Sequence, residues 1–283
     1  MSTKTNHGIF FAAPVALLCT VGLGAGDRQV LLTREDIAFN AEWKTPSPMN
    51  EDGPGHVSYP LYTAEIVLDT DYEFFLFNGS DVNATEQAAM AFVDAANPVF
   101  IAGPGVQFVV TDIVVRTDPN DPYTSTNIIT TFSEFRQVWS GSPTPHDVAV
   151  LISGKSFDNG STGLAGIDGL CNPSNNIAVI DGTVSQPIVY AVFKHLVGHI
   201  FGAPHCDGAG CNIMCQLVGG CSGNTDSFST SSISAMENLI ATAGSCLDPV
   251  EQPCNPADIA EPFGVLDLQD ISAFISAFTS GCP

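Results

Sequence analysis

The sequence predicts an α/β (α+β) fold in which helices pack against a mixed sheet, followed by a small helical module at the C-terminus. Between residues 60 and 248, runs with apolar alternation and β-branched residues take turns with runs of helical composition, a pattern typical of layered helices and strands. Residues 249–283 carry a separate helical stripe. The chain of 283 residues is long enough to bury one core of about 200 residues with a small segment left over.

The first 59 residues predict an export signal and a connecting segment. Residues 1–26 contain Lys4 in a short polar start, an apolar run from Ile9 to Leu23 and small residues up to Gly26, as in a secretory signal peptide. The apolar run is too short for a membrane span. Residues 27–59 contain prolines and charges with little periodicity, and we interpret them as a linker or the remnant of a propeptide.

The middle of the chain predicts alternating strands and helices. The predicted strands share apolar alternation and β-branched residues, and they cover residues 63–77, 106–117 and 147–154. The predicted helices cover residues 85–97 with Thr85 as the cap, residues 133–139, and residues 228–240 with Ser229 as the cap. A further helix begins at Pro187, which suits a first helical position, and Ser185 is its candidate cap.

Three of the six histidines have the spacing of a metal site on that further helix. His195 and His199 are four residues apart, so a helix presents both imidazoles on one face to the same ion. Gly202 can adopt a positive φ and let the chain turn away from the helix. His205 can then return as the third ligand and leave a fourth position open for water, while Met214 follows between two cysteines.

The pattern H-x-x-x-H-x-x-G-x-x-H followed by Ile-Met resembles the metzincin zinc peptidases. The flanking sequences GHIFGAPH and CNIMC are most similar to the reprolysin (adamalysin-type) branch, and LDTDYEFF, TDPNDPYT and LISGKSFDNGSTGLAGIDGLC extend the resemblance across most of residues 60–248. The resemblance implies the metzincin catalytic-domain fold, with zinc bound by His195, His199 and His205. It also implies that Met214 is the methionine of the turn beneath the zinc.

The resemblance assigns a further role to a glycine-rich segment that residue types alone would favour as a loop. In the family, the corresponding segment is the edge strand that borders the active-site cleft and pairs with extended substrate. An exposed edge offers unpaired amide groups to which a peptide can add as a strand. The segment consists of Ser161, Thr162, Gly163, Leu164, Ala165 and Gly166.

One residue departs from the family pattern. The family has glutamate directly after the first histidine as the general base, and this position holds Leu196, whose side chain accepts no proton. We therefore expect a protein that binds zinc and extended peptide or protein with impaired or no hydrolysis. A working endopeptidase with a substitute base such as Asp207, and a purely structural zinc protein, are the alternatives. Lys194 is a poor substitute, because its amine is normally cationic and lies about 100° around the helix.

The cysteines indicate disulfides. Cys19 lies in the predicted signal, and the remaining number is even, which is typical of an exported protein with paired cysteines. Cys206 follows the third histidine and could supply a metal thiolate, but a disulfide is favoured. The sequence leaves the pairing open, apart from Cys254 and Cys282, which bracket the last segment. The candidates are Cys171, Cys206, Cys211, Cys215, Cys221, Cys246, Cys254 and Cys282.

Residues 249–283 resemble a single degenerate dockerin-type repeat, of the kind appended to secreted bacterial proteins. Their helical stripe consists of Ile271, Phe274, Ile275 and Phe278. Glu261, Asp267 and Asp270 could bind calcium, although apolar residues occupy two positions where oxygen ligands are expected. A small disulfide-closed module that docks to a partner is the favoured interpretation.

The charge balance limits the partners. The chain has 30 acidic and 8 basic residues and a formal net charge of −22. Such a surface disfavours nucleic acid and anionic membranes as partners and suits solubility, calcium or a salty medium.

Overall fold

The computed structural model describes residues 28–33, 61–208, 210–216, 218, 221, 224–250 and 267–280. The predicted signal peptide, the Cys254–Cys282 pair and Glu261 lie outside the described residues. No helix among the described residues combines the length and the apolar composition that crossing a bilayer requires.

The described strands form one mixed sheet. In chain order they are β1 (Arg28–Thr33), β2 (Tyr62–Thr70), β3 (Val106–Val115), β4 (Val148–Ser153), β5 (Ser161–Ile167), β6 (Ile177–Asp181) and β7 (Asp248–Pro249). Their order is β1-β5-β6-β4-β2-β3, and β7 pairs with β2. Strands β3, β2, β4 and β6 are parallel to one another, whereas β5 runs antiparallel to β6 and β1 antiparallel to β5.

The described helices cover both faces of the sheet. They are α1 (Tyr72–Phe77), α2 (Val82–Ala102), α3 (Ile128–Trp139), α4 (Ile188–Ile200), α5 (Thr230–Ala243) and α6 (Leu268–Ser280). Apolar side chains of α2, α4 and α5 form one core with one face of the sheet, which we call the α4-side core. Those of α3 form a second core on the opposite face. The expected layer arrangement of helices and mixed sheet is confirmed.

Several element boundaries differ from the prediction. The segment predicted as a strand up to residue 77 ends as a strand at Thr70, because the Asp71 side chain accepts a hydrogen bond from Phe74 N (2.8 Å) and starts helix α1. Strand β6 was not predicted. By contrast, Ser229 caps α5 as expected, since its side chain accepts from Ser232 N (3.1 Å).

Residues 28–33 belong to the segment interpreted above as a linker or the remnant of a propeptide. They form β1, which lies beside β5 at one end of the sheet. The sequence RQVLLT is short and its partner lies more than 120 residues away, so no local periodicity indicates the pairing. The rest of the segment, residues 34–59, lies outside the described residues.

The last described helix, α6, carries most of the predicted stripe on its surface. Leu268, Ile271, Phe274 and Ile275 are all exposed. Asp270 is buried, and one of its carboxylate oxygens accepts a hydrogen bond from Asp267 N (2.9 Å). Two of the candidate calcium residues therefore interact with each other at the start of this helix.

A buried carboxylate joins the end of β2 to the opposite face of the sheet. Asp69 is fully buried and accepts hydrogen bonds from Arg116 (2.7 Å) and from the indole nitrogen of Trp139 (3.0 Å). The Tyr123 hydroxyl donates to the same carboxylate oxygen. This carboxylate fixes the loop after β3, which contains the TDPNDPYT segment, against α3.

We predict that Asp69→Ala lowers the free energy of unfolding by about 3–5 kcal/mol, because it leaves a partly buried guanidinium without its ion partner. The matched control is Asp94→Ala on the exposed face of α2, which should leave stability nearly unchanged. Urea denaturation of the two variants and the parent measures the difference. Equal stability of the two variants would contradict a structural role for this carboxylate.

Candidate metal centre

Helix α4 places the first two histidines inside the protein. The helix is apolar on nearly all sides, and its residues from Ala191 to Ile200 are all buried. His195 and His199 lie one turn apart on it, as their spacing predicts. The helix begins one residue later than predicted: Pro187 is the N-cap, without a side-chain hydrogen bond. The carbonyl of Ser185, rather than its hydroxyl, accepts from Val189 N (3.3 Å).

A turn after α4 brings the chain back to the side of the helix that carries His195 and His199. Gly202 has φ +92°, which glycine adopts without the penalty of a Cβ. Ala203 N donates to Gly198 O (2.9 Å) and closes the helix end. On the other side, the backbone nitrogens of Asp168 and Leu170 donate to His199 O and Ile200 O (3.0 Å each). The turn expected at Gly202 therefore exists and is tied to the loop after β5.

The three imidazoles converge. The Nε2 atom of His195 lies 2.9 Å from Nε2 of His199 and 3.0 Å from Nε2 of His205. Among the described residues these three form a group that could hold a metal ion, and no carboxylate belongs to that group. Three nitrogen donors facing one point form the donor set of a zinc site with an open position.

The other ring nitrogens fix the tautomer of two histidines. His195 Nδ1 lies 2.7 Å from Ile213 O, and His199 Nδ1 lies 2.8 Å from Ala203 O. A carbonyl oxygen only accepts, so each Nδ1 carries the proton and each Nε2 offers its lone pair to a metal. Burial, and then the neighbouring imidazole of His205, lowers the pKa of His195 to about 3, and burial lowers the pKa of His199 well below its ordinary value. Both rings are neutral at pH 7, as metal ligands must be.

The predicted methionine turn packs beneath the histidine pair. Met214 is fully buried, and a Cβ added to Gly198 would lie 2.7 Å from its sulfur. Gly198 stands between His195 and His199 on the helix, so the missing side chain lets the thioether reach the helix backbone between the two ligands. Met214 O accepts from Cys206 N (3.1 Å), which ties the turn to the segment carrying His205.

Disulfides close the loops around the centre. Cys206 pairs with Cys211, Cys215 with Cys221, and Cys171 with Cys246. The expectation that Cys206 forms a disulfide rather than a metal thiolate is confirmed. The first two bridges close the loops on either side of Met214, and the third ties the loop after β5 to the end of α5.

Leu196 fills the position next to the first ligand. Its side chain is 1% exposed and packs under β5, where a Cβ on Gly163 would lie only 2.6 Å from its Cδ1 atom. Asp207, the substitute base considered above, is exposed. Lys194 is buried, its amine lies 3.5 Å from an Asp226 carboxylate oxygen, and burial lowers its pKa against the opposing effect of that carboxylate.

The segment expected as an open edge strand has a neighbour on each side. Residues Ser161–Ile167 form β5, as the resemblance implies, but β5 pairs with β6 on one side and β1 on the other. Its first six residues are buried. Strand β1 was not predicted, because its pairing with β5 joins residues that are distant along the chain.

The comparison with protein families agrees with this geometry. Residues 63–252, which are 190 of the 283 residues, match the family described as Reprolysin (M12B) family zinc metalloprotease.

Individual relatives include vertebrate metalloproteinases. The human "Disintegrin and metalloproteinase domain-containing protein 33" is 25% identical over 56% of this chain and 20% of its own length. "Zinc metalloproteinase/disintegrin" of Bitis gabonica is 33% identical over 29% of this chain and 25% of its length. "Snake venom metalloproteinase TM-1" of Protobothrops mucrosquamatus is 31% identical over 28% of this chain and 40% of its own length. The matches thus cover two fifths or less of these relatives.

We predict that the metal-free protein loses stability as pH falls. His195 and His199 have depressed pKa values when folded and about 6.5 when unfolded, so below pH 6.5 the unfolded chain binds more protons. The contribution of these two rings to the free energy of unfolding is complete above pH 6.5 and decreases as the pH falls toward about 3. The decrease is at most about 1.4 kcal/mol per pH unit for each ring. Urea denaturation of the chelated protein at several pH values measures how the free energy of unfolding changes with pH. His199→Gln should make this change per pH unit smaller. An unchanged slope in the variant would contradict neutral buried imidazoles.

Proposed function

Because the chain belongs to the reprolysin (M12B) zinc metalloprotease family, we propose that it binds one zinc ion through His195, His199 and His205 and acts as a peptide-binding pseudopeptidase. The observation that carries the metal assignment is the convergence of three Nε2 atoms, of which those of His195 and His199 belong to neutral rings. In such a site, zinc lowers the pKa of a bound water toward 7 and polarises a peptide carbonyl.

The residues beside the ligands support binding more than turnover. Hydrolysis also needs a group that takes a proton from the water and delivers it to the leaving amine, and such a group contributes typically about 10² to 10⁴ in rate. Leu196 occupies the position of that base and packs into the α4-side core. An apolar side chain at this place favours contact with an apolar group over activation of water.

Family membership supports a second candidate, an active zinc endopeptidase that cleaves extracellular proteins. Its base would come from another carboxylate, and the exposed Asp207 follows the third ligand by two residues. Lys194 does not suit this role, because its amine donates to Asp226, whose carboxylate opposes the effect of burial on the pKa and favours the cationic form, and a cationic amine accepts no proton.

We also propose that the protein is exported from a bacterial cell. Three disulfides among the described residues fit an oxidising compartment, and residues 1–26 have the composition of a signal peptide. The exposed apolar stripe of α6 supports a docking role for residues 249–283. Calcium binding there would use the carboxylates of Asp267 and Asp270, which lie at the start of α6, where Asp270 also accepts a hydrogen bond from Asp267 N.

We predict one zinc per chain in purified protein and no chelator-sensitive hydrolysis of a quenched protein substrate. Chelation should lower Tm by on the order of 10 °C, since a tightly bound ion stabilises only the folded state. His195→Ala and His205→Ala should lose the zinc, and His146→Ala, which alters a histidine outside the centre, should keep it. Zinc with chelator-sensitive turnover would support the active endopeptidase instead. Absence of zinc would contradict both proposals.

A further inference from the structure

Two of the disulfides beside the metal centre lie next to each other. Cys206 pairs with Cys211, and Cys215 pairs with Cys221. Cys206 and Cys215, which belong to different bridges, face each other in an isolated parallel β-bridge. The backbone nitrogen of Cys206 also donates a hydrogen bond to Met214 O (3.1 Å) and holds the two segments together. The two bridges are therefore close enough to react with each other.

The backbone geometry permits a third pairing, between Cys206 and Cys215. Neighbouring strands lie about 4.7–4.9 Å apart, and paired residues direct their side chains to the same face. A disulfide needs a Cα–Cα distance of about 4.4–6.8 Å, a range that contains the spacing of a β-bridge. The two existing bridges have Cα–Cα distances of 5.7 Å and 6.1 Å. A bond between Cys206 and Cys215 therefore fits the backbone as it stands.

The cysteines of these two bridges differ in their access to solvent. Cys221 is exposed and Cys206 is partly exposed, whereas Cys211 and Cys215 are each 3% exposed. In thiol–disulfide exchange, one sulfur of the disulfide is attacked and the other leaves as a thiolate. An external thiol reaches the second bridge at Cys221, so the sulfur that leaves is that of the buried Cys215, beside Cys206.

We propose that an external dithiol changes the pairing of these four cysteines and thereby switches the metal centre. The dithiol attacks Cys221 and departs as a disulfide, a two-electron reduction that leaves Cys215 and Cys221 as thiols. The Cys215 thiol gives its proton to solvent, and its sulfur attacks Cys206 Sγ. The Cys206–Cys215 bond forms as the Cys206–Cys211 bond breaks, and the Cys211 thiolate takes up a proton from solvent.

This exchange changes what holds the metal ligands in place. The bond between Cys206 and Cys211 ties the segment of His205 to the segment of Ile213, whose carbonyl oxygen lies 2.7 Å from His195 Nδ1. After the exchange, one bridge remains of the two, and Cys211 has no covalent restraint. Groups that orient metal ligands contribute about 10- to 100-fold to metal affinity. The affinity for zinc should therefore fall, an expectation that rests on the proposed zinc binding.

Cys221→Ser tests the exchange without a reductant. Serine leaves Cys215 as a thiol beside the intact Cys206–Cys211 bond, so exchange should divide the thiol between Cys215 and Cys211. Cys246→Ser is the matched control, because it leaves Cys171 as a thiol in another part of the fold.

The metal-free variants are denatured in acid, where exchange stops, labelled with N-ethylmaleimide and mapped by peptide mass spectrometry. We expect label on both Cys211 and Cys215 in Cys221→Ser, and on Cys171 alone in the control. Label on Cys215 alone in Cys221→Ser would overturn the exchange. If Cys221→Ser fails to fold, the parent treated with a limiting amount of dithiothreitol serves instead, and label should then appear on Cys211 and Cys221.

Zinc affinity tests the second half of the proposal. In competition with a chromophoric chelator, the parent should bind zinc at least about tenfold more weakly after limiting dithiothreitol has acted and been removed. Cys215→Ser combined with Cys221→Ser removes the exposed bridge and should abolish this response. An equal response in that double variant would overturn the route through Cys221.

The two measurements fail separately. Exchange without a change in zinc affinity would overturn the switch and leave zinc binding intact. A parent that binds no zinc would overturn the proposed function and the switch together, whereas the label map, which is recorded without metal, would still decide the exchange.

Discussion

The metal centre depends on two hydrogen bonds from imidazole Nδ1 atoms to backbone carbonyls. They hold His195 and His199 in the tautomer whose Nε2 lone pairs face each other and His205. The two carbonyls belong to Ala203, in the turn after α4, and Ile213, next to the methionine turn. The orientations of these two rings therefore depend on the segments that hold the two carbonyls. These segments are the two turns, the disulfide-closed loops around Met214 and the contact of Met214 with Gly198.

The same helix carries Leu196, the residue on which the proposed separation of metal binding from hydrolysis rests. A glutamate at this position would need water beside it, whereas Leu196 is 1% exposed and fills an apolar space next to Gly163. Once that space is apolar, an aliphatic side chain on a neighbouring strand gains by covering it, and Leu32 occupies such a position.

Interactions between residues close together in the sequence made part of the fold and of the metal centre predictable. The spacing of His195 and His199, the positive φ of Gly202 and the cap at Ser229 each depend on residues a few positions apart, and the structure contains all three. The segment after Thr70 was predicted as a strand, because an apolar run suits either element and the hydrogen bond from Phe74 N to Asp71 decides between them.

Long-range contacts could not be predicted in the same way. The pairing of β1 with β5 joins segments more than 120 residues apart, and the six residues of β1 contain no pattern that indicates their partner strand. The packing of Leu196 against Gly163 also joins distant residues, so the sequence shows that leucine stands after the first histidine without showing where its side chain packs. The disulfide partners were open for the same reason, since eight cysteines allow 105 pairings.

The most direct measurement is chelator-sensitive hydrolysis by the parent, Leu196→Glu and Leu196→Gln. The two side chains have nearly the same shape, but only the carboxylate can accept the proton. Our account predicts that Leu196→Glu gains about 10² or more in rate over the parent and over Leu196→Gln, with equal zinc content in all three. Chelator-sensitive hydrolysis by the parent that Leu196→Glu does not raise would contradict it, because another group would then be the base.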